Sequence, residues 1–475
     1  MPIRKKTKIV ATLGPATQSK ETIRDMIIAG VDVFRVNFSH ANYTDVKERI
    51  TTIRKIGDEL EMPPAILADL QGPKLRVGVM KEEVVVKPGD EILFCTGKEF
   101  EGTAKRVYMN YALFPKDVKA GERILLDDGK LHFEVISTNN KDEVNARVIQ
   151  GGPLRSKKGV NLPNTKISLP AMTKKDIEDA IFAISLEVDW IALSFVRDSD
   201  DLKILNDLIK KHSSYKIPVI AKIEKPEAVK NIKRIVAHCD GLMVARGDLG
   251  VEVPAEEVPL IQKELVLVAK LARIPVIIAT QMMETMITSL TPTRAEVNDV
   301  ANSVMDGADA VMLSGETSIG NYPVQVIETM ARIIRSVENS SMIRVPQEPP
   351  QIKTNRYVTK SVCYHAALMA NEIEAKAICT LTNSGYTAFQ ISAWRPNAHI
   401  LVFTSNKNIL TRMSLLWGVR AFFYDKFVST DTTVGDINKI AMEMGFVEKG
   451  DFLINLAAMP IVEKGMVNTL RVSQV

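Results

Sequence analysis

Two hydrophobic patterns alternate along much of the chain. Short, continuous apolar runs are separated by longer stretches in which apolar residues recur at helical spacing. Runs without polar alternation are typical of parallel strands that are buried on both faces. The runs are KIVATLG (8–14), VFRVNFS (33–39), AILADLQG (65–72), WIALSFV (190–196), PVIAKIE (218–224), GLMVARGD (241–248), PVIIATQ (275–281) and AVMLSGE (310–316).

Eight strands that alternate with helices predict an α/β fold of the (β/α)8 TIM-barrel type. An open, doubly wound parallel sheet would give a similar alternation, but eight units is the number that closes a barrel. We therefore expect a barrel domain built from residues 1–72 and 170–345.

The pattern changes in two places. Between 73 and 169, period-two alternation with PGD and DDGK turns predicts a small inserted β-barrel domain. Because this insert interrupts the barrel after its third strand, we expect it to form a lid over the barrel mouth. The proline-rich sequence VPQEPPQIKTNR around 345–356 predicts a linker, and a C-terminal α/β domain is expected over 346–475.

Composition excludes several classes of protein. The chain has 475 residues, of which 46% are apolar and 25% charged, and its formal net charge is +4. This globular mixture gives no reason to expect a nucleic-acid or membrane partner. No apolar run approaches the ~18 residues of a spanning helix, and the N-terminal segment lacks the apolar core of a secretory signal. The four cysteines form no CxxC pair, which is typical of idle thiols in a cytoplasmic protein.

The polar residues of the eight runs lie at their C-terminal ends. In a barrel these ends meet at one mouth, where the loops after the strands build active sites. Any strand that leaves a core turns polar, but here the last six strands all end in charged or hydroxyl side chains, which favours a shared site. The residues are Arg35, Asn37, Ser39, Asp69, Ser194, Lys222, Glu224, Arg246, Asp248, Thr280, Ser314 and Glu316.

Three of these residues suggest chemistry at a cation. Glu224 and Asp248 end neighbouring strands and could ligate Mg²⁺ or Mn²⁺, or they could be surface carboxylates neutralised by Lys225 or Arg246. Lys222 leaves the same strand face as Glu224, and we expect it in a solvated mouth. Its ammonium could stabilise an oxyanion or a transferring phosphoryl group, or serve as an ion-pair partner of Glu224.

Eight motifs, taken together and in this order, resemble the pyruvate kinases. The chain contains no GxxxxGK[ST], GxGxxG or HExxH sequence, so a nucleotide or a metal would be held by another construction. The resemblance runs through the barrel and the insert, and more loosely through the C-terminal domain. The motifs are VFRVNFSH (33–40), ADLQGPKLR (68–76), SKKGVNLP (156–163), IAKIEKPE (220–227), MVARGDLGVE (243–252), ATQMMETM (279–286), TPTRAEVNDVAN (291–302) and MLSGETSIGNYP (312–323).

The resemblance implies transfer of the phosphoryl group of phosphoenolpyruvate to ADP, giving pyruvate and ATP. It implies that Arg35 binds the substrate phosphate and that Lys222 stabilises the transferring phosphoryl group and the enolate. Glu224 and Asp248 are then the ligands of Mg²⁺ or Mn²⁺. The remaining implied roles are substrate contacts for Ser194, Gly247, Asp248 and the catalytic Thr280, nucleotide contacts for Asn37, His40, Arg76, Lys158 and Asn161, and a monovalent-cation region of Asn37, Ser39, Asp69 and Leu70.

The motif DLQGPKLR bears on potassium. Potassium-dependent relatives usually carry an acidic residue where Lys74 stands, a threonine at the position of Leu70 and a lysine at that of Gln71. The ammonium of Lys74 can itself supply the positive charge that a bound K⁺ would bring. We therefore expect activity without K⁺ but not without a divalent cation. A solvated Lys74 without a role is the alternative.

The C-terminal domain carries a candidate effector loop, TLTNSGYTA (380–388). Its Thr382, Ser384, Gly385 and Thr387 could hold a phosphate of a sugar phosphate or AMP near a helix start, although an ordinary capped helix would look the same. The family often has a basic residue where Tyr386 stands. The resemblance also implies an allosteric homotetramer.

Two other functions fit parts of the sequence. A lyase or aldolase on the same fold could use Lys222 and Mg²⁺, but it would not need a lid that carries Lys158. A catalytically silent sugar-phosphate sensor would not need an intact set of residues at the mouth.

Overall fold

The barrel closes as the sequence predicts. The computed structural model describes residues 5–82, 84–340, 349, 355–426, 429–459 and 465–475. Eight parallel strands pair in a ring in the order β1-β8-β7-β6-β5-β4-β3-β2, so the open doubly wound sheet is excluded. The strands are β1 (Lys8–Thr12), β2 (Val33–Asn37), β3 (Ala65–Asp69), β4 (Trp190–Leu193), β5 (Val219–Ile223), β6 (Gly241–Ala245), β7 (Val276–Ala279) and β8 (Ala310–Leu313).

Helices surround this ring and bury their apolar faces against it. Their starts follow from local capping: the Thr293 hydroxyl accepts from the backbone N–H of Glu296, whose carboxylate accepts from the backbone of Thr293. The α-helices of the barrel domain are Lys20–Ala29, Tyr43–Glu59, Lys174–Ser185, Ser199–His212, Pro226–Lys230, Ile232–Val236, Arg246–Glu252, Val258–Ala272, Arg294–Met305, Gly315–Ser318 and Pro323–Glu338, with 3₁₀ turns at Pro15–Thr17, Phe38–His40, Ala255–Glu257 and Glu284–Ile287.

An aspartate precedes every second strand, at the N-terminal ends that we call the barrel bottom. Each carboxylate accepts a backbone N–H from the start of the preceding strand, at 2.6 to 3.0 Å. These bonds satisfy N–H groups at the edge of the barrel. The four residues are Asp32, Asp189, Asp240 and Asp309, which stand before β2, β4, β6 and β8.

The insert between β3 and β4 is a β domain with its own core. Its main sheet has six strands and curls, because Arg76 bridges to Gly159 near one edge and Val77 to Met109 near the other. In sheet order the strands are Val160–Asn161, Arg123–Leu126, Leu131–Thr138, Glu143–Gln150, Glu91–Cys95 and Arg106–Tyr108; a second sheet pairs Val85–Val86 with Gly152–Pro153, and a short helix spans Phe114–Asp117.

One carboxylate ties both ends of the insert to the barrel. Asp176 is fully buried in the first turn of the helix Lys174–Ser185. Its Oδ1 accepts from the backbone N–H of Gly72, where the chain leaves the barrel, at 2.9 Å. Its Oδ2 accepts from the backbone N–H of Thr173, where the chain has returned, at 2.8 Å. The insert therefore departs and returns at one place.

The C-terminal domain is a five-stranded sheet with helices, in the order β11-β10-β9-β12-β13, and only β13 is antiparallel. Most of the predicted linker at 345–356 lies outside the described residues. The strands are β9 (Ala377–Leu381), β10 (His399–Thr404), β11 (Val419–Phe423), β12 (Phe452–Ala457) and β13 (Thr469–Gln474). The helices are Tyr357–Glu372, Tyr386–Ala393, Lys407–Leu410 and Thr430–Glu443, with a 3₁₀ turn at Thr411–Leu415.

This domain covers the barrel bottom. Leu415 belongs to the apolar cluster of the barrel interior, which also contains Trp190. The indole N–H of Trp190 donates to the carbonyl of Arg412 at 3.1 Å. Within the described residues all four cysteines are buried and free, and none of the helices is long and apolar enough to cross a bilayer.

Candidate active site

Arg35 and Asp69 form one side of the mouth. The Arg35 Nε donates to Asp69 Oδ2 at 2.7 Å, and its Nη1 donates to Thr12 Oγ1 at 3.1 Å. Burial would raise the pKa of Asp69, but Lys222 and Arg35 together hold that pKa below its usual value. Asp69 is therefore an anion that fixes two cations at the ends of β2 and β5.

Lys222 lies at the centre of the cluster. Its Nζ contacts Ser194 Oγ at 2.7 Å, Glu224 Oε1 at 2.9 Å and Asp69 Oδ1 at 3.3 Å. The lysine is only 8% exposed, so the expectation of a solvated position is wrong. Burial by itself would lower the pKa of Lys222, but the two carboxylates outweigh it and raise that pKa above its ordinary value. The ammonium therefore stays charged.

Glu224 is buried rather than on the surface. Its Oε2 accepts from the backbone N–H of Phe195 at 2.7 Å. Burial raises the pKa of Glu224; Lys222 opposes this rise and Asp248 adds to it. The alternative in which Lys225 or Arg246 neutralises this pair is wrong, since those cations have other partners. Lys225 pairs with Glu252 at 2.6 Å, and Arg246 pairs with Asp299 at 2.6 Å.

Glu224 and Asp248 fit a divalent cation. The raised pKa of Glu224 marks a buried carboxylate whose charge is only partly balanced by Lys222. In the part of the chain that the structure describes, no group of three or more acidic, histidine or cysteine side chains could hold a metal. A divalent ion at this place would take two protein carboxylates and complete its shell with substrate oxygens and water, as Mg²⁺ usually does.

Thr280 connects the loops that follow β6 and β7. Its φ of 71° is a left-handed conformation that a β-branched residue seldom adopts. The hydroxyl accepts from the backbone N–H of Gly247 at 2.7 Å, and the Thr280 carbonyl accepts from Arg246 Nη2 at 2.7 Å. Strained backbone of this kind is concentrated at functional sites. The structure thus brings Gly247 and Thr280 into direct contact.

The insert contributes side chains from above the mouth. A cavity between insert and barrel is lined by Lys74 and Asn161 on one side and by Phe195 and Asp248 on the other. Lys158 pairs within the insert, with Asp127 Oδ1 at 2.8 Å. Arg76 Nη1 donates to the carbonyl of Lys157 at 3.0 Å. The side chain of His40 lies outside the described residues.

The region expected around a monovalent cation is compact. The Asn37 side chain accepts from the backbone N–H of Ser39 at 3.1 Å. Leu70 is buried, and its carbonyl accepts from Ser194 Oγ at 2.7 Å. Lys74 is exposed and forms no ion pair with the described residues.

The loop of the C-terminal domain is less open than the sequence suggests. Thr382 Oγ1 accepts from the backbone N–H of Gly385 at 3.0 Å. Thr387 is buried and its hydroxyl pairs with that of Thr380 at 2.9 Å, so its side chain does not join the loop surface. A cation that the sequence did not connect with this loop, Arg356, stacks over the Tyr386 ring at 4.4 Å.

Comparison with known proteins agrees with the motifs. Residues 4–327 match the family model of the pyruvate kinase barrel domain, and residues 360–473 match that of the pyruvate kinase alpha/beta domain. Pyruvate kinase 2 of Synechocystis is 43% identical over 96% of this chain and 77% of its own. The pyruvate kinase of Corynebacterium glutamicum is 42% identical over 98% of this chain and 97% of its own.

A solved structure is similar over nearly the whole length. The crystal structure of a pyruvate kinase from Cryptosporidium parvum superposes with a TM-score of 0.92 at 31% identity, covering 99% of this chain and 96% of the other. The family models, the full-length relatives and the fold all agree. The chain belongs to the pyruvate kinase family, and it is a glycolytic enzyme that transfers the phosphoryl group of phosphoenolpyruvate to ADP, giving pyruvate and ATP.

Proposed function

We propose that the buried cluster around Lys222 carries out this phosphoryl transfer. The observation that supports the proposal is the set of three contacts that hold the Lys222 ammonium between Asp69, Ser194 and Glu224. Phosphoryl transfer depends on positioned positive charge, because negative charge spreads over the oxygens of the group in flight. In this proposal Lys222 stabilises the phosphoryl group and then the enolate, while Arg35 binds the phosphate.

Glu224 and Asp248 are proposed to hold the divalent ion, Mg²⁺ or Mn²⁺. Pyruvate kinases are in general Mg²⁺-dependent, and the partly compensated charge of Glu224 supports the assignment. When bound, the ion neutralises the oxygens of the transferring group. Thr280 and the backbone of Gly247 and Asp248 are assigned to the substrate carboxylate, with Ser194 beside Lys222.

The nucleotide is proposed to bind between the mouth and the insert. Its contacts are assigned to Asn37, His40, Arg76, Lys158 and Asn161. The insert acts as a lid in this proposal, and its closure keeps water from the reactive enolate. We propose domain boundaries at 72/73, 169/170 and 345/346. They separate the barrel that carries the site, the insert that acts as its lid and the C-terminal domain.

A coupled assay of pyruvate formation from phosphoenolpyruvate, with and without ADP, tests the function. We expect pyruvate and ATP in equal amounts only when ADP and Mg²⁺ are present. Pyruvate without ADP would indicate a lyase or hydrolase, and no turnover in a folded protein would indicate a silent sensor.

We also propose that potassium is not required. The exposed Lys74 lines the cavity beside Asp248 and so can place an ammonium where relatives carry an acid. Turnover is expected to be similar in buffers containing K⁺ or only a bulky organic cation. The Lys74→Glu variant is expected to gain a dependence on K⁺. A large stimulation of the wild-type enzyme by K⁺ would overturn the proposal.

Three further properties are proposed from family membership: a cytoplasmic location, a homotetrameric state and allosteric control. Sedimentation at micromolar concentration tests the tetramer.

For the effector we retain Thr382, Ser384 and Gly385 as contacts of a sugar phosphate or AMP, with Thr387 in a supporting position. A panel of these compounds that leaves the phosphoenolpyruvate response unchanged would contradict it.

A further inference from the structure

A buried ion pair of two residues without an assigned role joins the barrel to Asn161 of the insert. Glu252 is 5% exposed and Lys225 is 7% exposed, and their side chains form an ion pair of 2.6 Å through Glu252 Oε1. The same oxygen accepts from the side-chain Nδ2 of Asn161, at 2.8 Å. Lys225 follows β5, Glu252 follows β6, and Asn161 belongs to the insert. Three segments of the chain therefore converge on one carboxylate oxygen.

The position of Glu252 gives this contact its significance. Glu252 ends the short helix Arg246–Glu252, which also carries Gly247 and Asp248. Asp248 and Glu252 are four residues apart and so lie on the same side of this helix. Lys225 directly follows Glu224 in the sequence. The contact therefore holds the two chain segments that bear the carboxylates assigned to the metal.

The insert meets this helix at a second point. Gly129, in a turn of the insert, lies against Val251. A β-carbon placed on Gly129 would be in van der Waals contact with Val251 Cγ1, at 3.7 Å. That contact is apolar and has no direction, whereas the bond from Asn161 to Glu252 is directional and charge-assisted. The other oxygen, Glu252 Oε2, is buried and has no hydrogen-bond partner among the described residues. Among the residues that the structure describes, loss of Asn161 would leave Lys225 as the only donor to this buried carboxylate.

We propose that Asn161, Glu252 and Lys225 form a latch that couples the seating of the insert to the position of the Asp248 helix. These are positioning residues: they act through Asp248 and through closure of the insert. The inference rests on the proposed function, since it requires that the insert closes over a reacting substrate. It gives Asn161 a partner in the barrel in addition to the nucleotide contact suggested by the family resemblance.

Exchanging the amide of Asn161 and the carboxylate of Glu252 tests the latch. Asn161→Asp places a carboxylate against Glu252, and we expect kcat/KM for ADP to fall at least tenfold because two like charges then meet in a buried place. In the double variant Asn161→Asp/Glu252→Gln the amide and the carboxylate have changed places, so the hydrogen bond can form in the opposite direction. We expect the double variant to recover most of the lost kcat/KM. A pure nucleotide contact of Asn161 would not be restored by a change at Glu252.

A matched control lies three residues along the same segment. Asn164 is exposed, so Asn164→Asp adds the same charge to the insert without facing Glu252. Its kcat/KM for ADP is expected to stay at the wild-type value. Equal losses in Asn164→Asp and Asn161→Asp, or a double variant no better than Asn161→Asp, would overturn the latch.

A distance measurement makes the result independent of activity. Because all four native cysteines are buried, spin labels can be directed to Lys141→Cys on the insert and Lys211→Cys on the barrel, which are both exposed positions. We expect Asn161→Asp to broaden the distance distribution and the double variant to narrow it again. Unchanged distributions would contradict the latch. A wild-type enzyme without pyruvate kinase activity would instead contradict the proposed function, whatever the distances.

Discussion

The two ends of the barrel both bury charged side chains, but they balance them in opposite ways. At the mouth Lys222 is shared by Asp69 and Glu224, and its pKa is raised above the ordinary value. At the bottom Lys270 and Arg395 share Asp309, at 2.8 and 2.9 Å. Burial and, to a lesser extent, the charge of Arg395 lower the pKa of Lys270 to about 7, because Asp309 opposes them only in part.

The difference separates a site for ligands from a joint between domains. Around Lys222 the mouth has more acidic than basic groups. Its excess negative charge favours binding of further cations, and these cations can in turn hold an anionic substrate. At the bottom the second cation, Arg395, comes from the C-terminal domain and also donates to the carbonyl of Gly307 at 2.7 Å. The bottom therefore holds two cations on one carboxylate, and its contacts join the barrel to the C-terminal domain. We therefore expect substitutions at the mouth to change catalysis and those at the bottom to change stability.

The largest effect is expected from a matched pair of lysine variants. Lys222→Met should lower kcat by about 10³-fold or more, because it removes a charge that stabilises the transition state. Lys270→Met should leave kcat unchanged, since Lys270 lies at the opposite end of the barrel. Steady-state kinetics give kcat for both variants, and circular dichroism gives the folded fraction by which each value is corrected. A similar loss of kcat in both variants would erase the distinction between the two ends.

The next effect concerns the stability of the bottom. Asp309→Asn leaves Lys270 and Arg395 buried without their counter-ion, which should cost about 3–5 kcal/mol of unfolding free energy. Asp306, in the same turn, pairs with the half-exposed Lys263, so Asp306→Asn should cost about 1 kcal/mol or less. Urea denaturation measures both. Equal costs would show that burial of the Asp309 cluster contributes little.

The most gradual effect is a pH dependence of the free energy of unfolding. Since the pKa of Lys270 is about 7 in the folded protein and 10.5 in a model peptide, the unfolded chain holds this proton more tightly. Between these two values the unfolded state binds more protons, so stability should rise with pH, by up to about 1.4 kcal/mol per pH unit from this group. The rise should be absent from Lys270→Met. Parallel stability curves for the wild type and this variant would refute the assignment.

The fold was predictable because its signals are local. Eight apolar runs gave eight barrel strands, and alternation with turns gave the insert. The aspartates of the bottom also had a signal, in VDVF, VDWI, CDGL and ADAV, where an aspartate precedes alternate strands. Each aspartate taken separately resembles an ordinary polar residue before a strand, and only the repetition at every second strand indicates a shared role.

The geometry of the site was predictable only in part. Strand periodicity places Lys222 and Glu224 on one face, but the depth of Lys222 is set by Asp69 and Ser194, which come from distant strands. Lys225 and Glu252 belong to the motifs IAKIEKPE and MVARGDLGVE. Their pairing, however, depends on how the segments after β5 and β6 fold over the mouth. Likewise, the hydrogen bond between the buried hydroxyls of Thr380 and Thr387 depends on how the loop folds, which the residue types alone do not determine.

The single carboxylate at the base of the insert has a consequence for how the chain folds. Because Asp176 binds Gly72 and Thr173 together, β3 and the helix before β4 can meet while the residues between them are still unstructured. Closing a flexible loop of roughly a hundred residues costs about 4 kcal/mol in chain entropy, and this cost grows only slowly with length. The barrel can therefore assemble as one cooperative unit and the insert as another, in either order. Insertions or deletions within the insert should then alter folding of the barrel very little.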